Sequence, residues 1–303
     1  MPRKIIVIVG PTAVGKTELS LKLAEKINAE IISADSRQIF KEMDIGTAKP
    51  TEEELSKITH HFIDYKEIED YYSAGKFGKE ATERIHEIFA KGKIPLVVGG
   101  SGLYVKALTE GIFTGDFRNE KVRSDLRSEI EKFGLESLYE KLKNVDSDYA
   151  KIVKPTDEIR IVRALEVFEV SGKPLSLHFS EQKESELEFV QFCFTREREK
   201  LYERINFRVD EMFREGFLEE VKNLKSEGFS ESERLLNTVG YKEVLQFLKR
   251  ELTLDEAVVL MKQFTRNFAK RQVTWFKKVK GMEFLNLDEL SQDEVLEKIQ
   301  SKI

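Results

Sequence analysis

A glycine-rich turn near the N-terminus constrains the fold of this chain more than any other feature. The turn, Gly10–Thr17, follows the continuous apolar run Ile5–Val9 and precedes Glu18–Asn28, which has apolar residues at helical spacing. It matches the G-x-x-x-x-G-K-[ST] pattern of a phosphate-binding loop, in the strand–turn–helix context that this pattern requires. Backbone N–H groups at such a helix N-terminus bind anions. The sequence therefore predicts a diphosphate or triphosphate site, with a ligand-free glycine turn as the alternative.

Two side chains of this loop have chemical tasks of their own. In loops of this pattern the lysine, here Lys16, reaches the terminal phosphate, and the next hydroxyl, here Thr17, can bind Mg²⁺. Magnesium is therefore the cofactor that we expect. The residues predicted to hold the phosphates are Gly10, Pro11, Thr12, Ala13, Val14, Gly15, Lys16 and Thr17.

Short apolar runs alternate with helical patterns in the first third of the chain. The run Ile94–Val98, like Ile5–Val9, is typical of a strand that is buried on both faces. Strands are predicted at 4–9, 29–33, 62–63, 94–98, 189–195 and 284–287, and a helix at 77–91. The alternation predicts an α/β fold, a P-loop NTPase-like parallel sheet flanked by helices.

Helical periods and charged residues replace this alternation between about residues 116 and 183. We expect an all-helical insertion domain at 116–183 that interrupts a core domain formed by residues 1–115 and 184–303, whose C-terminal part is mostly helical. A length of 303 residues agrees with about two domains.

Composition excludes several classes of protein. Fifty basic residues against 55 acidic ones give a net charge of −5, so the chain is not a globally basic nucleic-acid coater. One cysteine, Cys193, excludes a disulfide framework and a cysteine-rich zinc module. The apolar run near the N-terminus is too short to span a membrane. We expect a cytoplasmic protein without membrane attachment.

The ends of the predicted strands carry the second group of candidate residues. NTPases of this class usually have an aspartate that holds magnesium after an apolar strand, but Ile94–Val98 ends in Gly99-Gly100. Asp35 follows the second strand, and ligands of open parallel sheets lie at the carboxyl ends of the strands. Asp35 is a candidate general base or a carboxylate that holds magnesium through an intervening water or ligand, with a simple turn cap as the alternative.

Basic residues are concentrated on predicted helices. Seven occur between Ala257 and Met282 without an acidic residue: Lys262, Arg266, Lys270, Arg271, Lys277, Lys278 and Lys280. Phe264, Phe268 and Trp275 fall on the other side of this helix and are predicted to be buried. The basic ridge suits a polyanion, with a solvated surface as the alternative. The pairs Arg160/Arg163 and Arg204/Arg208 are further candidates, unless Glu166 and Glu203 neutralise members of each pair, and Arg123 is an isolated candidate.

Together, these and other strings resemble the tRNA dimethylallyltransferase (tRNA isopentenyltransferase) family, in order from about residue 5 to 278. Besides the phosphate loop they are Asp35–Gln38, Met43–Pro50, His60-His61, Tyr72–Ala74, Pro95–Tyr104, Arg160–Glu166, Asn237–Lys242 and Thr265–Trp275. The Asp-Ile-Gly-Thr-Ala-Lys-Pro string is the most specific. Phe40 stands where many members have Tyr, and Ser101 where Thr is commoner. No zinc-finger segment like that of eukaryotic members follows, so the bacterial type is expected.

The resemblance implies transfer of a dimethylallyl group from dimethylallyl diphosphate to the N6 amine of the adenine 3′ of the anticodon, in tRNAs that read codons starting with U. The diphosphate is then a leaving group, and no hydrolytic machinery is needed. In this family pattern Asp35 accepts the amine proton, while Thr17 and Arg208 act with the diphosphate.

The resemblance also implies a tRNA surface that reads the anticodon stem-loop after the adenine leaves its stack. The residues assigned to it are Asp35, Ser36, Arg37, Gln38, Ser101, Arg123, Arg160, Arg163, Asn237, Thr238, Val239, Gly240, Tyr241, Lys242, Arg266, Lys270 and Arg271. The helical insertion would clamp the stem-loop, and we expect a monomer.

Three other functions are compatible with parts of this pattern. A P-loop kinase would use Asp35 to activate an acceptor hydroxyl and would not need the basic helix. An adenylate isopentenyltransferase would act on a free nucleotide and would not need an RNA-reading insertion. An RNA-binding protein could retain the loop as a relic, although the intact Lys16, Thr17 and Asp35 argue against this.

Overall fold

The computed structural model describes residues 4–111, 115, 117–181 and 186–302. The chain divides into two compact units, one formed by Met1–Thr109 with Glu186–Ile303 and the other by Glu110–Ser185. The division thus falls a few residues from the expected limits at 115/116 and 183/184. Each unit is described by itself below.

A parallel sheet organises the first unit. Among the described residues its strands are β1 (Lys4–Val9), β2 (Ala29–Ala34), β3 (His60–His61), β4 (Ile94–Gly99), β5 (Glu188–Thr195) and β6 (Glu283–Asn286). They lie in the order β3-β2-β4-β1-β5-β6, and every neighbouring pair is parallel. The predicted parallel α/β sheet is confirmed.

The third strand is the one whose position was predicted wrongly. It is formed by His60–His61, which pair with Ile31 and Ile32, and not by 62–63. Phe62 has a φ of 64°, a left-handed conformation that an extended strand cannot contain. The strand therefore ends before Phe62.

Helices occupy most of the remaining chain. In the first unit before the insertion they are α1 (Lys16–Ile27), α2 (Glu52–Lys57), α3 (Ala74–Ala90) and α4 (Gly102–Thr109). The insertion contains α5 (Glu120–Phe133), α6 (Leu135–Val145), α7 (Ser147–Ala150), α8 (Glu158–Ser171) and α9 (Leu175–Ser180). The first unit then continues with α10 (Arg198–Arg214), α11 (Phe217–Ser226), α12 (Glu233–Leu236), α13 (Tyr241–Leu248), α14 (Leu254–Phe276) and α15 (Gln292–Gln300).

Strand β1 lies inside the sheet, between β4 and β5. Each side chain of Ile5–Val9 is at most 1% exposed, as expected for an interior strand of a parallel sheet. The pairing register places Val9 and Ala34 on either side of Gly99. The chain segments that follow β1, β2 and β4 therefore begin at one level of the sheet.

Helix α14 is oriented differently from the sequence prediction. Phe264, Phe268 and Trp275 are 38%, 40% and 39% exposed, so they do not form the buried face. The buried residues of α14 are Ala257, Met261, Ala269, Gln272 and Phe276. The interior face thus combines small residues with the larger Met261 and Phe276, and the rings of Phe264, Phe268 and Trp275 lie on a partly exposed side.

The insertion unit has its own apolar core. Helices α5, α6, α8 and α9 pack through buried residues that include Leu126, Leu138, Leu142, Ile161, Leu165 and Leu175. No strand occurs among the described residues of this unit, and the all-helical prediction is confirmed. None of the described helices in the whole chain is long and apolar enough to cross a membrane.

We predict that Gly78→Ala destabilises the first unit, although alanine is the better helix former. A Cβ at Gly78 in α3 would come within 2.7 Å of the backbone oxygen of Ala107 in α4. We expect a loss of about 1–3 kcal/mol in the free energy of unfolding, as for other overpacked sites. Urea unfolding measures it, and Lys79→Ala, at the next and exposed position, is the matched control. An unchanged or higher stability of Gly78→Ala would contradict this packing.

Candidate active site

A cavity of about 840 Å³ opens at the carboxyl ends of β1, β2 and β4. It brings together residues from most of the predicted groups. The predicted residues that line it are Thr12, Ala13, Gly15, Lys16, Thr17, Asp35, Ser36, Arg37, Gln38, Ser101, Arg208, Asn237, Thr238, Val239, Arg271. Gly10, Pro11 and Val14 also belong to the phosphate loop, but they do not line the cavity.

The phosphate loop has the backbone that its glycines predict. Gly10 and Gly15 have φ values of 149° and 110°, which residues with a Cβ rarely adopt. A Cβ at Gly10 would also lie 2.7 Å from the backbone oxygen of Phe194. Lys16 Nζ donates to the carbonyl oxygens of Gly10 and Pro11, at 2.9 Å each. The ammonium group is thus held over the loop, where an anion would bind.

Arginine side chains hold the carbonyl side of this loop. Arg196 Nε donates to the oxygen of Val14 at 2.9 Å, and Arg204 Nε donates to that of Ala13 at 2.8 Å. Sequence reasoning missed Arg196, and it treated Arg204 as a member of the candidate pair Arg204/Arg208 without a link to this loop. The one local signal is that Arg196 directly follows β5.

Gln272 of α14 connects the phosphate loop to the end of β4. Its Oε1 accepts from the backbone N–H of Thr12 at 2.9 Å, and its Nε2 donates to the oxygen of Gly100 at 2.9 Å. The side chain is buried. Sequence reasoning missed this residue too, since a polar side chain on the inner face of a helix is not evident before that face is known.

Asp35 lies directly after β2, as predicted. Its Oδ1 accepts from the backbone N–H groups of Arg37 at 2.8 Å and Gln38 at 3.3 Å. The cap alternative is therefore real, and it is compatible with catalysis because these bonds fix the direction of the carboxylate. The carboxylate lines the cavity together with Lys16 and Arg208.

Ser101 and Arg37 connect three segments beside Asp35. Ser101 Oγ accepts from the N–H of Ser36 at 2.9 Å, and the Arg37 guanidinium donates to the oxygen of Asn237 at 3.2 Å. The turn after β2, the turn after β4 and the Asn237–Lys242 segment thus meet at one wall of the cavity.

Burial changes the ionisation of the charged groups in the cavity. Burial lowers the pKa of Lys16 to about 8; Asp35 opposes this shift, and Arg208 adds to it. Burial also lowers the pKa of Arg208, against the effect of Asp35. The pKa of Cys193 is raised to about 12 by burial, so this thiol is neutral at pH 7 and is not a nucleophile.

The donor groups present fit Mg²⁺ that arrives with a phosphorylated ligand. Magnesium prefers oxygen ligands and usually keeps waters and substrate phosphates among them. Among the described residues, no group of three or more His, Cys, Asp or Glu side chains can hold a metal ion. Thr17 and Asp35 offer a hydroxyl and a carboxylate at the cavity wall. The diphosphate would have to supply further oxygen ligands.

The basic ridge on α14 is less uniform than its sequence indicates. Lys262 forms an ion pair with Asp210 of α10, with Nζ and Oδ1 2.6 Å apart. Arg266 donates to Asn206 Oδ1 at 2.6 Å. The absence of acidic residues between Ala257 and Met282 was misleading, because α10 supplies a carboxylate. Lys270 and Arg271 are exposed.

Tyr241 requires a correction. Its side chain is 0% exposed, and its hydroxyl donates to Glu220 at 2.6 Å. A direct contact of this side chain with tRNA is therefore contradicted, because protein covers it completely. Gly240 is also buried, whereas the neighbouring Lys242 is exposed.

The arginines of the insertion are held by a fully buried carboxylate. Glu166 accepts from Arg123 Nε at 2.7 Å, from an Arg163 nitrogen at 2.6 Å and from the N–H of Asn119 at 2.9 Å. Burial alone would raise the pKa of Glu166, but these hydrogen bonds lower it. The ion-pair alternative thus describes Arg163, and the isolated candidate Arg123 is held by the same carboxylate. Arg160 is mostly exposed, 3.4 Å from Asp157.

A parallel sheet whose central strand leads into a phosphate-binding loop and helix defines an α/β protein of the P-loop class. Within that class the chain belongs to the IPP transferase family, whose model matches residues 38–279. It is 41% identical over 300 residues to a tRNA dimethylallyltransferase of Salinibacter ruber, and the match covers 99% of this chain and 93% of the relative. The predicted family is confirmed.

Solved structures give the same result. The full-length tRNA isopentenylpyrophosphate transferase from Bacillus halodurans is 37% identical with a TM-score of 0.73, covering 99% of this chain and 95% of that one. A eukaryotic dimethylallyltransferase acting on tRNA is 32% identical with a TM-score of 0.84, covering 99% of this chain and 77% of that one.

We predict that Lys16 makes pyrophosphate binding sensitive to alkaline pH. Lys16 is charged below its pKa of about 8 and becomes neutral above it, so its attraction for the anion is lost as the pH rises. If only the charged form binds, affinity falls about 10-fold from pH 7 to pH 9. Isothermal titration calorimetry measures it. Lys16→Met binds more weakly and lacks this decline, and parallel pH profiles for both proteins would contradict the assignment.

Proposed function

We propose that this protein transfers the dimethylallyl group of dimethylallyl diphosphate to the N6 amine of the adenine 3′ of the anticodon, in tRNAs that read codons starting with U. The observation that carries the proposal is the placement of Asp35 in one cavity with Lys16 and Arg208. A proton acceptor thus lies beside cationic groups suited to a diphosphate. The names of the relatives in this family support the same reaction.

The phosphate loop stabilises the leaving group. Attack of the adenine nitrogen on C1 of the dimethylallyl group forms a carbon–nitrogen bond and breaks the carbon–oxygen bond to the diphosphate. Negative charge then develops on the diphosphate, and donors placed in advance stabilise it most effectively. Lys16, Arg208 and the N–H groups at the start of α1 provide such donors. The Thr17 hydroxyl would ligate Mg²⁺, which supplies further charge neutralisation there.

Asp35 receives the proton of the acceptor amine. The nitrogen loses one proton as the new bond forms, and a carboxylate within hydrogen-bonding reach can accept it. The two backbone N–H groups on Oδ1 hold the carboxylate in place. Because the amine loses its proton as the bond forms, no positive charge remains on the adenine.

An adenine inside an RNA stack cannot reach this cavity, so the base has to turn out of the loop. The aromatic side chains of Phe207 and Phe268 line the cavity and are exposed. Exposed rings at such a position can stack on a nucleobase. Asn237, Thr238 and Val239 line the same cavity and are proposed to contact nucleotides next to the target.

The exposed cations bind the RNA backbone in this proposal. Lys270 and Arg271 project from α14, and the Arg271 guanidinium lies 5.6 Å from the centre of the Phe268 ring. Arg160, Arg163 and Arg123 of the insertion unit are proposed to contact the stem-loop, with Glu166 fixing two of them. For Arg266, a direct phosphate contact requires exchange of its bond to Asn206.

We predict that Asp35→Asn nearly abolishes transfer while the fold is kept. The asparagine Oδ1 can accept the same two N–H groups, but the side chain cannot take up the proton. The rate should fall about 10²–10⁴-fold, the usual contribution of a general base. The assay is nucleoside mass spectrometry of undermodified tRNA after incubation with dimethylallyl diphosphate and Mg²⁺.

Asp293→Asn, a change of an exposed carboxylate in α15, is the control for Asp35→Asn. Transfer by Asp35→Asn at the wild-type rate would exclude Asp35 as the base. Modification of AMP but not of tRNA would establish an adenylate isopentenyltransferase. Absence of both products with folded wild-type protein would refute the proposed function, and ATP-dependent phosphoryl transfer would then be tested.

We predict that Arg271→Ala weakens tRNA binding by removing one phosphate contact. The slope of log Kd against log salt concentration should decrease by ~0.7–0.9, which is the contribution of one phosphate contact. Filter binding over a range of KCl concentrations measures the slope. Lys298→Ala, which removes an exposed charge from α15, is the matched control. Equal slopes for Arg271→Ala and the wild type would exclude Arg271 from the RNA surface.

A further inference from the structure

The segment Asp44–Lys49 has no regular secondary structure, yet one carboxylate from α11 holds it. We propose that Glu220 is a positioning residue for the diphosphate site: it fixes this segment, and the segment orients Arg208 and Gln38. The inference rests on the proposed function for its catalytic consequence. Its structural part, the orientation of Arg208 toward an anion, is tested separately.

Four donors converge on Glu220. Oε2 accepts from the backbone N–H groups of Asp44 at 3.2 Å and Ile45 at 2.6 Å. Oε1 accepts from the N–H of Gly46 at 3.3 Å and from the Tyr241 hydroxyl at 2.6 Å. Three consecutive amides thus point at one side chain, an arrangement that neutral residues of similar size cannot reproduce.

The segment is closely packed at Gly46, where no side chain would fit. A Cβ at Gly46 would lie 2.3 Å from a ring carbon of Phe217 and 2.6 Å from a ring carbon of Tyr241. The backbone therefore rests directly on two aromatic rings. The hydrogen bonds to Glu220 hold the segment against these two rings.

The other side of the segment faces the active site. The oxygen of Thr47 accepts from Gln38 Nε2 at 3.2 Å and from Arg208 at 3.5 Å, and the oxygen of Ala48 accepts from Gln38 Nε2 at 2.9 Å. A second nitrogen of Arg208 donates to Thr12 Oγ1 at 3.3 Å. The guanidinium is thus held between the phosphate loop and the segment.

Glu220 does not line the cavity itself, and it acts through Arg208. Burial raises the pKa of Glu220, and the bonds from Tyr241 and Ile45 oppose this shift. A purely structural function would change stability without a selective effect on anion binding. The two functions therefore differ in what they predict for pyrophosphate affinity at a temperature where the protein is folded.

The experiment compares Glu220→Ala and Glu220→Gln with the wild type. Glu220→Gln keeps the packing but replaces one acceptor oxygen by an amide NH₂, which cannot accept from a backbone N–H. Calorimetry with inorganic pyrophosphate and Mg²⁺ should show about 10-fold weaker binding for Glu220→Ala, with Glu220→Gln between it and the wild type. With saturating substrates, kcat for tRNA modification should fall about 100-fold for Glu220→Ala, while tRNA affinity stays within about twofold.

A double-mutant cycle with Arg208→Lys tests the route through Arg208. Lysine is shorter and carries its donors on a single nitrogen, so it does not reproduce the contacts that two separate nitrogens of Arg208 make with Thr12 and Thr47. If Glu220 acts by orienting Arg208, Glu220→Ala weakens pyrophosphate binding much less in the Arg208→Lys background than in the wild type. Glu219→Ala, an exposed change on the same helix, is the control and should behave as the wild type.

Wild-type pyrophosphate affinity and kcat in folded Glu220→Ala and Glu220→Gln would overturn the inference. Equal effects of Glu220→Ala in both backgrounds would also overturn it. If Glu220→Ala does not fold, Glu220→Gln and Tyr241→Phe, which removes one of the four hydrogen bonds, provide the same comparison. If pyrophosphate binding changes as expected but the wild type modifies no tRNA, the proposed function fails and the positioning function of Glu220 stands.

Discussion

The active site depends on the register of three parallel strands. Strand β4 lies between β1 and β2, and Gly99 is level with both Val9 and Ala34. A Cβ at Gly99 would come within 2.1 Å of the backbone oxygen of Ala34, so no side chain fits where β4 ends. The phosphate loop and Asp35 follow the two strands that flank β4, and both line one cavity beside Gly99.

Local motifs and this sheet geometry explain which parts of the site were predictable. The loop before Lys16 is a contiguous pattern, and Asp35 follows from the rule that ligands bind at the carboxyl ends of parallel strands. Arg196 and Gln272 were not predictable in this way, because they lie 182 and 260 residues from the loop residues that they bind. Only the folded chain shows that these distant residues contact one turn. Glu220, 174–176 residues from the amides that it binds, is a similar case.

Helix α14 shows a second limit of sequence patterns. The helical period separates the basic face from the aromatic face. From hydrophobicity alone, the aromatic face was predicted to be buried. The helix packs through Ala257, Met261, Ala269, Gln272 and Phe276 instead, and Gln272 is held on this face by the N–H of Thr12 and the oxygen of Gly100. Phe268 is left outside beside Arg271. A face that combines exposed rings and guanidinium groups is well suited to single-stranded RNA, in which bases can stack on both.

The arginines behind the phosphate loop explain how an irregular backbone becomes an anion site. Every carbonyl and N–H group in such a loop needs a partner, and either kind of group can point toward the ligand. Arg196 and Arg204 bind the oxygens of Val14 and Ala13 from outside the loop. This keeps these two negative partial charges directed toward cations and away from the ligand. A preference for anions is therefore expected not only from Lys16 but also from distant cations, which control which side of the backbone a ligand meets.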